Sequence, residues 1–179
     1  MKCIFEPQNC DDCERGFCEQ EHAVYLTFFG PLPKIGMSQK TRLKKRVIEQ
    51  GADAYALLST EEDRAGARKR EKKLSKKLDI PQRVNSKNKL KRMSRKINEQ
   101  TIKRKYRGVE NQVPIGELKF LEDYPISLPL RAKPRSRPTP GRHSGKKVGI
   151  KGNFLIYENN GLQALNLNDL VGRNMLIRY

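Results

Sequence analysis

The sequence has no tryptophan, few acidic residues and no long apolar run. Its 179 residues carry 38 Lys and Arg against 20 Asp and Glu, for a formal net charge of +18. No stretch approaches the roughly 20 apolar residues that span a bilayer, and no apolar signal-peptide segment is present, so we predict a cytoplasmic protein without a membrane span. The excess of cations predicts an anionic partner. We expect nucleic acid, either DNA or RNA, with a membrane surface as the rival partner.

Cysteines are few, and all of them lie in the first eighteen residues, at Cys3, Cys10, Cys13 and Cys18. The C-x2-C spacing of Cys10 and Cys13 suits two thiolates on one tetrahedral ion. We therefore predict a structural Zn²⁺ bound by the four cysteines, or with His22 in place of Cys3. Such a site would brace a chain in which apolar residues make up only 36%. Reduced thiols and two disulfides are the alternatives, and disulfides are rare in the cytoplasm.

Residues 22–85 have the pattern of a small α/β domain. Short runs of β-branched and aromatic residues alternate with helical patterns in the order ββαβα, and the first two strands form a hairpin. This order predicts a three-stranded sheet with packed helices. The predicted elements are strands at 23–29, 32–37 and 53–59, a helix that ends at Gln50, and a helix that runs from an N-cap at Thr60 to about Leu78.

The rest of the chain is more basic. Residues 86–107 hold ten Lys and Arg against Glu99 alone, and apolar residues at near-helical spacing predict one amphipathic basic helix. Recurring prolines predict an extended segment, and the glycine-punctuated C-terminal stretch predicts a small β-meander. The predicted boundaries are 1–21 for the zinc knuckle, 22–85 for the α/β domain, 86–112 for the basic helix, 113–145 for a Pro/Arg-rich linker and 146–179 for the β subdomain.

One carboxylate in the second predicted helix lies among apolar residues. Glu71 shares a helical face with Ala67, Leu74 and Leu78, the face expected to pack on the sheet. An unpaired charge on such a face is costly. We therefore expect a partner for Glu71, which is either a structural Arg or Lys or a metal ion.

The order of these motifs resembles the GIY-YIG nuclease superfamily over residues 22–85. Two positions differ from that pattern, since Ala23 stands in place of Gly and Lys34 in place of Tyr. With its N-terminal cysteines, the chain also looks like an uncharacterised prokaryotic family of small Cys-rich proteins. The matching positions are Ala23-Val24-Tyr25 and Lys34-Ile35-Gly36 for the two strand motifs, Arg46 in LKKR for the helical Arg, and Glu71 in REKKL for the metal-binding Glu.

The resemblance implies a divalent-metal-dependent endonuclease that hydrolyses phosphodiester bonds. Glu71 would hold Mg²⁺ or Mn²⁺, which polarises the phosphate, and Arg46 would bind the scissile phosphate. Tyr25 would accept a proton from the attacking water, with its pKa lowered from about 10 by the nearby cation of Lys34. The residues expected to bind the rest of the nucleic acid are Arg42, Arg92, Arg95, Lys96, Lys103 and Arg104.

A second interpretation is a non-catalytic RNA-binding protein, of a ribosome-associated kind, that uses the same fold as a platform. The basic helix and the absence of Asp and Glu between Tyr124 and Tyr157 are typical of extensions that enter folded RNA. A zinc-stapled adaptor for other proteins is a third interpretation, which the extreme basicity disfavours.

Overall fold

The structure of the protein is a computed structural model that describes residue 16 and residues 18–172. In this part of the chain it is a mixed α/β fold with two four-stranded sheets and four α-helices. The chain divides into two compact units. Unit 1 contains Met1–Asn85 and Ile97–Glu122, and unit 2 contains Ser86–Lys96 and Asp123–Tyr179.

The strands and helices follow the order that the local patterns predict, with two differences. Two short strands are added, one of which gives the predicted three-stranded sheet a fourth strand, and the predicted basic helix is two helices. The predicted ββαβα order is confirmed in unit 1. The elements are β1 (His22–Phe29), β2 (Leu32–Gln39), α1 (Leu43–Glu49), β3 (Ala54–Glu61), α2 (Arg64–Leu78), α3 (Ser86–Met93), α4 (Glu99–Glu110), β4 (Lys119–Phe120), β5 (Arg135–Arg137), β6 (Lys146–Lys151), β7 (Phe154–Glu158) and β8 (Leu162–Asn166).

The sheet of unit 1 has the strand order β2-β1-β3-β4, and all its neighbouring strands are antiparallel. Every residue of β1 is buried, because this strand has a neighbour on each side and is covered on both faces. On one face Val24 and Leu26 pack in a cluster with apolar residues of α2 and α4. On the other face Tyr25 and Phe29 pack with Val47 of α1. The core of the unit is therefore two thin apolar layers, one on each side of the sheet.

Helix α2 presents the predicted face to the sheet. Ala67, Glu71 and Leu74 are its buried residues. The helix begins one residue after Asp63, whose carboxylate accepts a hydrogen bond from the amide of Gly66 at 2.6 Å. The N-cap predicted at Thr60 is wrong, because β3 continues through Glu61 and holds that residue in the strand.

The single basic helix predicted over residues 86–107 is two helices that belong to different units. Helix α3 lies in unit 2 and ends at Met93, whereas α4 lies in unit 1. The break occurs where Asn98 caps α4, with its side chain accepting from the amide of Thr101 at 3.0 Å. The apolar residues of the predicted stripe belong to two cores, since Leu90 packs in unit 2 and Ile102 in unit 1.

Unit 2 contains the predicted C-terminal meander of β6, β7 and β8, which pair antiparallel in sequence order. Strand β5 pairs parallel to β8 and completes the sheet in the order β5-β8-β7-β6. The Pro/Arg-rich residues 113–145 are therefore more than a linker, because they supply β4 to one sheet and β5 to the other. Leu90 and Met93 of α3 pack on the core face of this sheet, with Phe154 and Ile156 of β7.

No helix within residue 16 and residues 18–172 is long and apolar enough to cross a membrane.

Candidate active site

Unit 1 contains a cavity of about 560 Å³ that gathers the residues singled out by the sequence. Tyr25 comes from β1, Lys34 from β2, Arg46 from α1 and Glu71 from α2. Four separate elements thus contribute to one concave surface, which is the arrangement that the motif spacing predicts. The described residues that line the cavity are His22, Tyr25, Lys34, Gly36, Met37, Ser38, Gln39, Arg42, Arg46, Gln50, Arg64, Arg68, Glu71, Gln82 and Arg83.

The Tyr25 ring is held by the strand opposite. Tyr25 pairs directly with Gly36 across β1 and β2. A Cβ atom added to Gly36 would lie 3.0 Å from the Cζ atom and from the hydroxyl oxygen of Tyr25. A side chain at this position would force the phenol ring to move by a few tenths of an ångström, so the close approach of the ring favours glycine. The two strand motifs are therefore in direct contact through Tyr25 and Gly36.

A chain of hydrogen bonds links Lys34 to Tyr25 through Gln50, the residue that caps the end of α1. The Lys34 ammonium donates to Oε1 of Gln50, and Nε2 of Gln50 donates to the Tyr25 hydroxyl oxygen at 2.9 Å. The ammonium has only donors, which fixes the orientation of the amide. The Tyr25 oxygen is therefore the acceptor in this pair, and its own proton is not used by Gln50.

The pKa of Tyr25 is raised above its usual value of 10.0, mainly because the phenol is buried. The hydrogen bond from Gln50 and the positive charge of Arg46 lower the pKa, but they do not outweigh desolvation. The prediction that Lys34 lowers the pKa of Tyr25 is wrong. Lys34 donates to the Gln50 amide instead, and the hydroxyl is neutral near pH 7.

The two arginines of the α1 region are exposed and oriented by one carboxylate. Nη1 of Arg46 lies 3.5 Å from Oε2 of Glu49, and Nη2 of Arg42 lies 3.8 Å from Oε1 of the same residue. About half of each arginine side chain remains accessible. Exposed pairs of this kind contribute roughly 1 kcal/mol or less, so both guanidinium groups are able to turn to a phosphate at small cost.

Glu71 is buried on α2 and has the structural partner that its position requires. Its side chain is only 6% exposed, and Oε2 accepts from Nη1 of Arg68, one turn earlier on the helix. The same Nη1 donates to Oε1 of Gln82 at 2.9 Å. Of the two partners predicted for Glu71, the structure therefore contains the arginine.

Charge in the cavity is strongly one-sided. Its described lining includes six Lys and Arg side chains and one carboxylate, that of Glu71. A concave site lined by one sign of charge concentrates ions of the opposite sign. Among the lining residues that the sequence patterns did not indicate as site residues are Gln50, Arg64, Arg68, Gln82 and Arg83.

Of these five residues, only Arg68 could have been predicted from the sequence. Arg68 lies three residues before Glu71, and i,i+3 pairs meet on a helix surface. Gln50 belongs to no motif, and its role depends on where α1 ends. Arg64, Gln82 and Arg83 reach the cavity through the tertiary fold. The cationic lining is therefore larger than the motifs alone indicate.

The other predicted binding residues do not line the cavity. Lys103 and Arg104 lie on α4 of unit 1, and Lys103 pairs with Glu99 at 2.9 Å. The remaining three are on or just after α3 in unit 2, and they are Arg92, Arg95 and Lys96.

The predicted zinc ligands lie mostly outside the described residues. Cys3, Cys10 and Cys13 fall there, and Cys18 is the described member of the set. His22 is buried, and its Nδ1 lies 2.7 Å from the backbone oxygen of Gln20, which can only accept. Within the described residues no group of three or more His, Cys, Asp and Glu is placed to hold a metal ion. The zinc site stays a prediction.

The chain belongs to a family described as "Protein of unknown function (DUF2797)", whose model matches residues 1–175. No curated protein and no solved structure matches the chain.

Proposed function

We propose that unit 1 is the catalytic part of a divalent-metal-dependent endonuclease of the GIY-YIG kind, which hydrolyses phosphodiester bonds in DNA or RNA. One observation carries the proposal. Tyr25, Lys34, Arg46 and Glu71, which the motif order alone singled out, line the same cavity although they come from four elements.

The cationic side chains of the cavity bind the substrate phosphates. Arg46 is half-exposed and can form two parallel hydrogen bonds to one phosphate. Arg42 lies one turn away and can bind the adjacent phosphate of the strand. Lys34 adds a third positive charge beside the Tyr25 hydroxyl, through Gln50. Once they are bound to the phosphate, donors of this kind stabilise the negative charge that develops on it in the transition state.

The donor set fits a magnesium or manganese ion. Mg²⁺ takes one or two carboxylates and fills its shell with water and substrate oxygens, and Glu71 supplies one carboxylate to the cavity. When bound there, the ion would polarise the phosphate and activate water. Arg68 holds Oε2 of Glu71 in place and would orient the carboxylate for this role.

Tyr25 has a different part in this mechanism from the proton acceptor first expected. Because its pKa is raised, the hydroxyl enters the reaction neutral and acts as a hydrogen-bond donor to a phosphate oxygen or to the attacking water. Water attacks phosphorus and gives up one proton, the bond to the leaving oxygen breaks, and that oxygen takes up a proton, so the products are a phosphomonoester and an alcohol. The cationic lining stabilises the negative charge that develops on the phosphate oxygens.

A non-catalytic RNA-binding protein remains the second candidate, and the Glu71 ion pair favours it. A carboxylate joined to Arg68 and nearly sealed from solvent needs no metal. In this alternative the cavity binds a phosphate through its six cations without cleaving the chain.

Cleavage of a substrate panel separates the two candidates. Duplex, nicked and branched DNA and structured RNA are incubated with the full chain in Mg²⁺, in Mn²⁺ or in a chelator. We expect metal-dependent cleavage that Glu71→Gln abolishes and that Arg46→Ala slows by roughly 100-fold or more. Glu62→Gln, which removes an exposed carboxylate outside the cavity, is the control and keeps full activity. Tight binding without cleavage in any arm, or activity that survives Glu71→Gln, would overturn the endonuclease proposal.

A further inference from the structure

The positive charge of the protein is concentrated in unit 2. This unit carries sixteen Lys and Arg against three Asp and Glu, whereas unit 1 carries twenty-two against seventeen. Most of the net charge of +18 therefore belongs to the smaller unit, which contains none of the cavity residues.

The acidic side chains described in the sheet region of unit 2 are already engaged. Glu158 pairs with Arg131, and Asp169 accepts a hydrogen bond from Thr139 at 3.1 Å and another from Asn166. Glu158 thus neutralises Arg131, and these two hydrogen bonds of Asp169 come from uncharged groups. The unit keeps its excess of positive charge at its surface.

The register of the sheet places two cations in one row. Lys147 of β6 is opposite Tyr157 of β7, which is opposite Gln163 of β8, which is in turn opposite Arg135 of β5. Residues directly opposite each other on neighbouring strands have their side chains on the same face. Lys147 and Arg135 thus stand on one face of the sheet, at its two edges.

Arg137 joins this face, because it lies two residues after Arg135 on the same strand. Its opposite residue is Leu165, whereas the alternate residues of β8, Leu162 and Ala164, pack in the core of the unit. The cationic face is therefore the one turned away from that core. We call Arg135, Arg137 and Lys147 the basic sheet face.

All three side chains of the basic sheet face belong to exposed residues. No carboxylate within the described residues lies at ion-pair distance from any of them. Between them Tyr157 and Gln163 are buried, at 7% and 9% exposure, and the His143 ring packs against Tyr157. The middle of this face is therefore covered, and its exposed charge lies at the two edges.

The chemistry of this surface suits a nucleic-acid backbone better than a membrane. Membrane-surface binding combines cations with apolar side chains that enter the lipid, and the exposed large apolar residues of the described chain, Ile48, Ile97 and Val171, are not on these strands. Arginine and lysine without apolar neighbours bind phosphates with little dependence on base sequence.

We propose that the basic sheet face of unit 2 is a second nucleic-acid-binding site, which contacts the phosphate backbone independently of the cavity in unit 1. The proposal shares the nucleic-acid partner of the proposed function but does not depend on cleavage. Its ligand is a polyanionic strand, and its contribution is affinity without sequence preference.

The test is the salt dependence of binding. Fluorescence anisotropy measures the affinity of the full chain for labelled duplex DNA and for single-stranded RNA, in chelator, over a range of NaCl concentrations. The triple variant Arg135→Gln, Arg137→Gln, Lys147→Gln should flatten the slope of log affinity against log salt by roughly 2 to 3 on duplex DNA, since each phosphate contact contributes about 0.9. Thermal unfolding confirms that the variant is folded.

A matched control removes the same number of positive charges, three, from unit 1. Lys72→Gln, Lys73→Gln, Lys76→Gln neutralises three exposed cations of α2 that do not line the cavity, and the slope should change by less than roughly 1. Equal changes in the two variants would show an effect of net charge alone and overturn the proposal. So would an unchanged slope, or a loss of binding to anionic phosphatidylserine vesicles with nucleic-acid binding intact. Because binding is measured without metal, none of these outcomes depends on whether the cavity cleaves its substrate.

Discussion

At the scale of single residues, the site depends on the close contact between Tyr25 and Gly36. A methyl group at Gly36 would press on the phenol ring and its hydroxyl, each 3.0 Å from the added atom. We expect Gly36→Ala to destabilise the protein by about 1–3 kcal/mol, as overpacking in a well-filled core does. Urea unfolding measures the change in free energy.

The control for this substitution is a glycine with open space around it. Gly108 is exposed within α4 and has no atom within 4 Å of an added Cβ. Gly108→Ala should stabilise the protein by up to about 1 kcal/mol, because alanine has the higher helix propensity. Equal effects of the two substitutions would contradict the contact between Gly36 and Tyr25.

The second prediction at this scale concerns the titration of Tyr25. The hydrogen bond from Gln50 lowers the pKa of Tyr25, so Gln50→Leu should raise that pKa further above 10.0. NMR of ¹³Cζ-labelled tyrosine follows the titration directly. Gln112→Leu, which removes an exposed amide bonded to the backbone of α4, should leave the Tyr25 titration unchanged. An unaltered pKa in Gln50→Leu would show that this hydrogen bond is absent in solution.

The raised pKa also has a consequence for stability. Folding favours the neutral phenol, so the contribution of Tyr25 is fully present below about pH 10 and is lost as the pH rises through the folded-state pKa. The free energy of unfolding should therefore fall more steeply at alkaline pH in the parent chain than in Tyr25→Phe.

At the scale of secondary structure, the ends of the elements were harder to predict than their order. Local periodicity indicated ββαβα and the buried face of α2, since both depend on neighbouring residues. It did not indicate β4, which exists only because Lys119 and Phe120 meet β3 across a long sequence separation. The prediction of a single basic helix was wrong for a similar reason. The near-helical spacing of Leu90 and Ile102 does not show that the two residues pack in different units.

The start of α2 gives a direct test at this scale. Asp63 is the N-cap, and its carboxylate satisfies the amide of Gly66. Asp63→Ala should lower the free energy of unfolding by about 1 kcal/mol, whereas Thr60→Ala, in the exposed part of β3, should change it by less than roughly 0.5 kcal/mol. Chemical denaturation measures both changes. A larger loss of stability in Thr60→Ala than in Asp63→Ala would show that Thr60 is the N-cap.

At the scale of the whole molecule, the two units differ in what the sequence reveals about them. The motif residues of unit 1 could be predicted because their order along the chain is distinctive. The extra cations of the cavity, Arg64, Arg68 and Arg83, and the amide of Gln50 could not, because no local pattern brings them together. In unit 2 the net charge was visible in composition, but the alignment of Arg135 with Lys147 depends on the strand register.

The cysteine cluster leads to a prediction about the whole chain. If Cys3, Cys10, Cys13 and Cys18 bind zinc, elemental analysis of the purified protein should find one zinc ion per chain. Removal of the ion by a chelator should lower thermal stability, since the free energy of metal binding is part of the free energy of folding. Cys10→Ser should reduce both the zinc content and the stability. A native protein without zinc, in which all four thiols titrate freely, would contradict this prediction.

The central claim is that the cavity of unit 1 holds a divalent ion and a phosphate together. Its most direct test is the anomalous diffraction of crystals soaked with Mn²⁺ and a dinucleoside phosphorothioate, which resists hydrolysis. We expect a manganese peak roughly 2 Å from a carboxylate oxygen of Glu71, with the phosphorothioate bound by Arg46 and Lys34. At saturating Mn²⁺, a cavity with no manganese at Glu71 would contradict the claim.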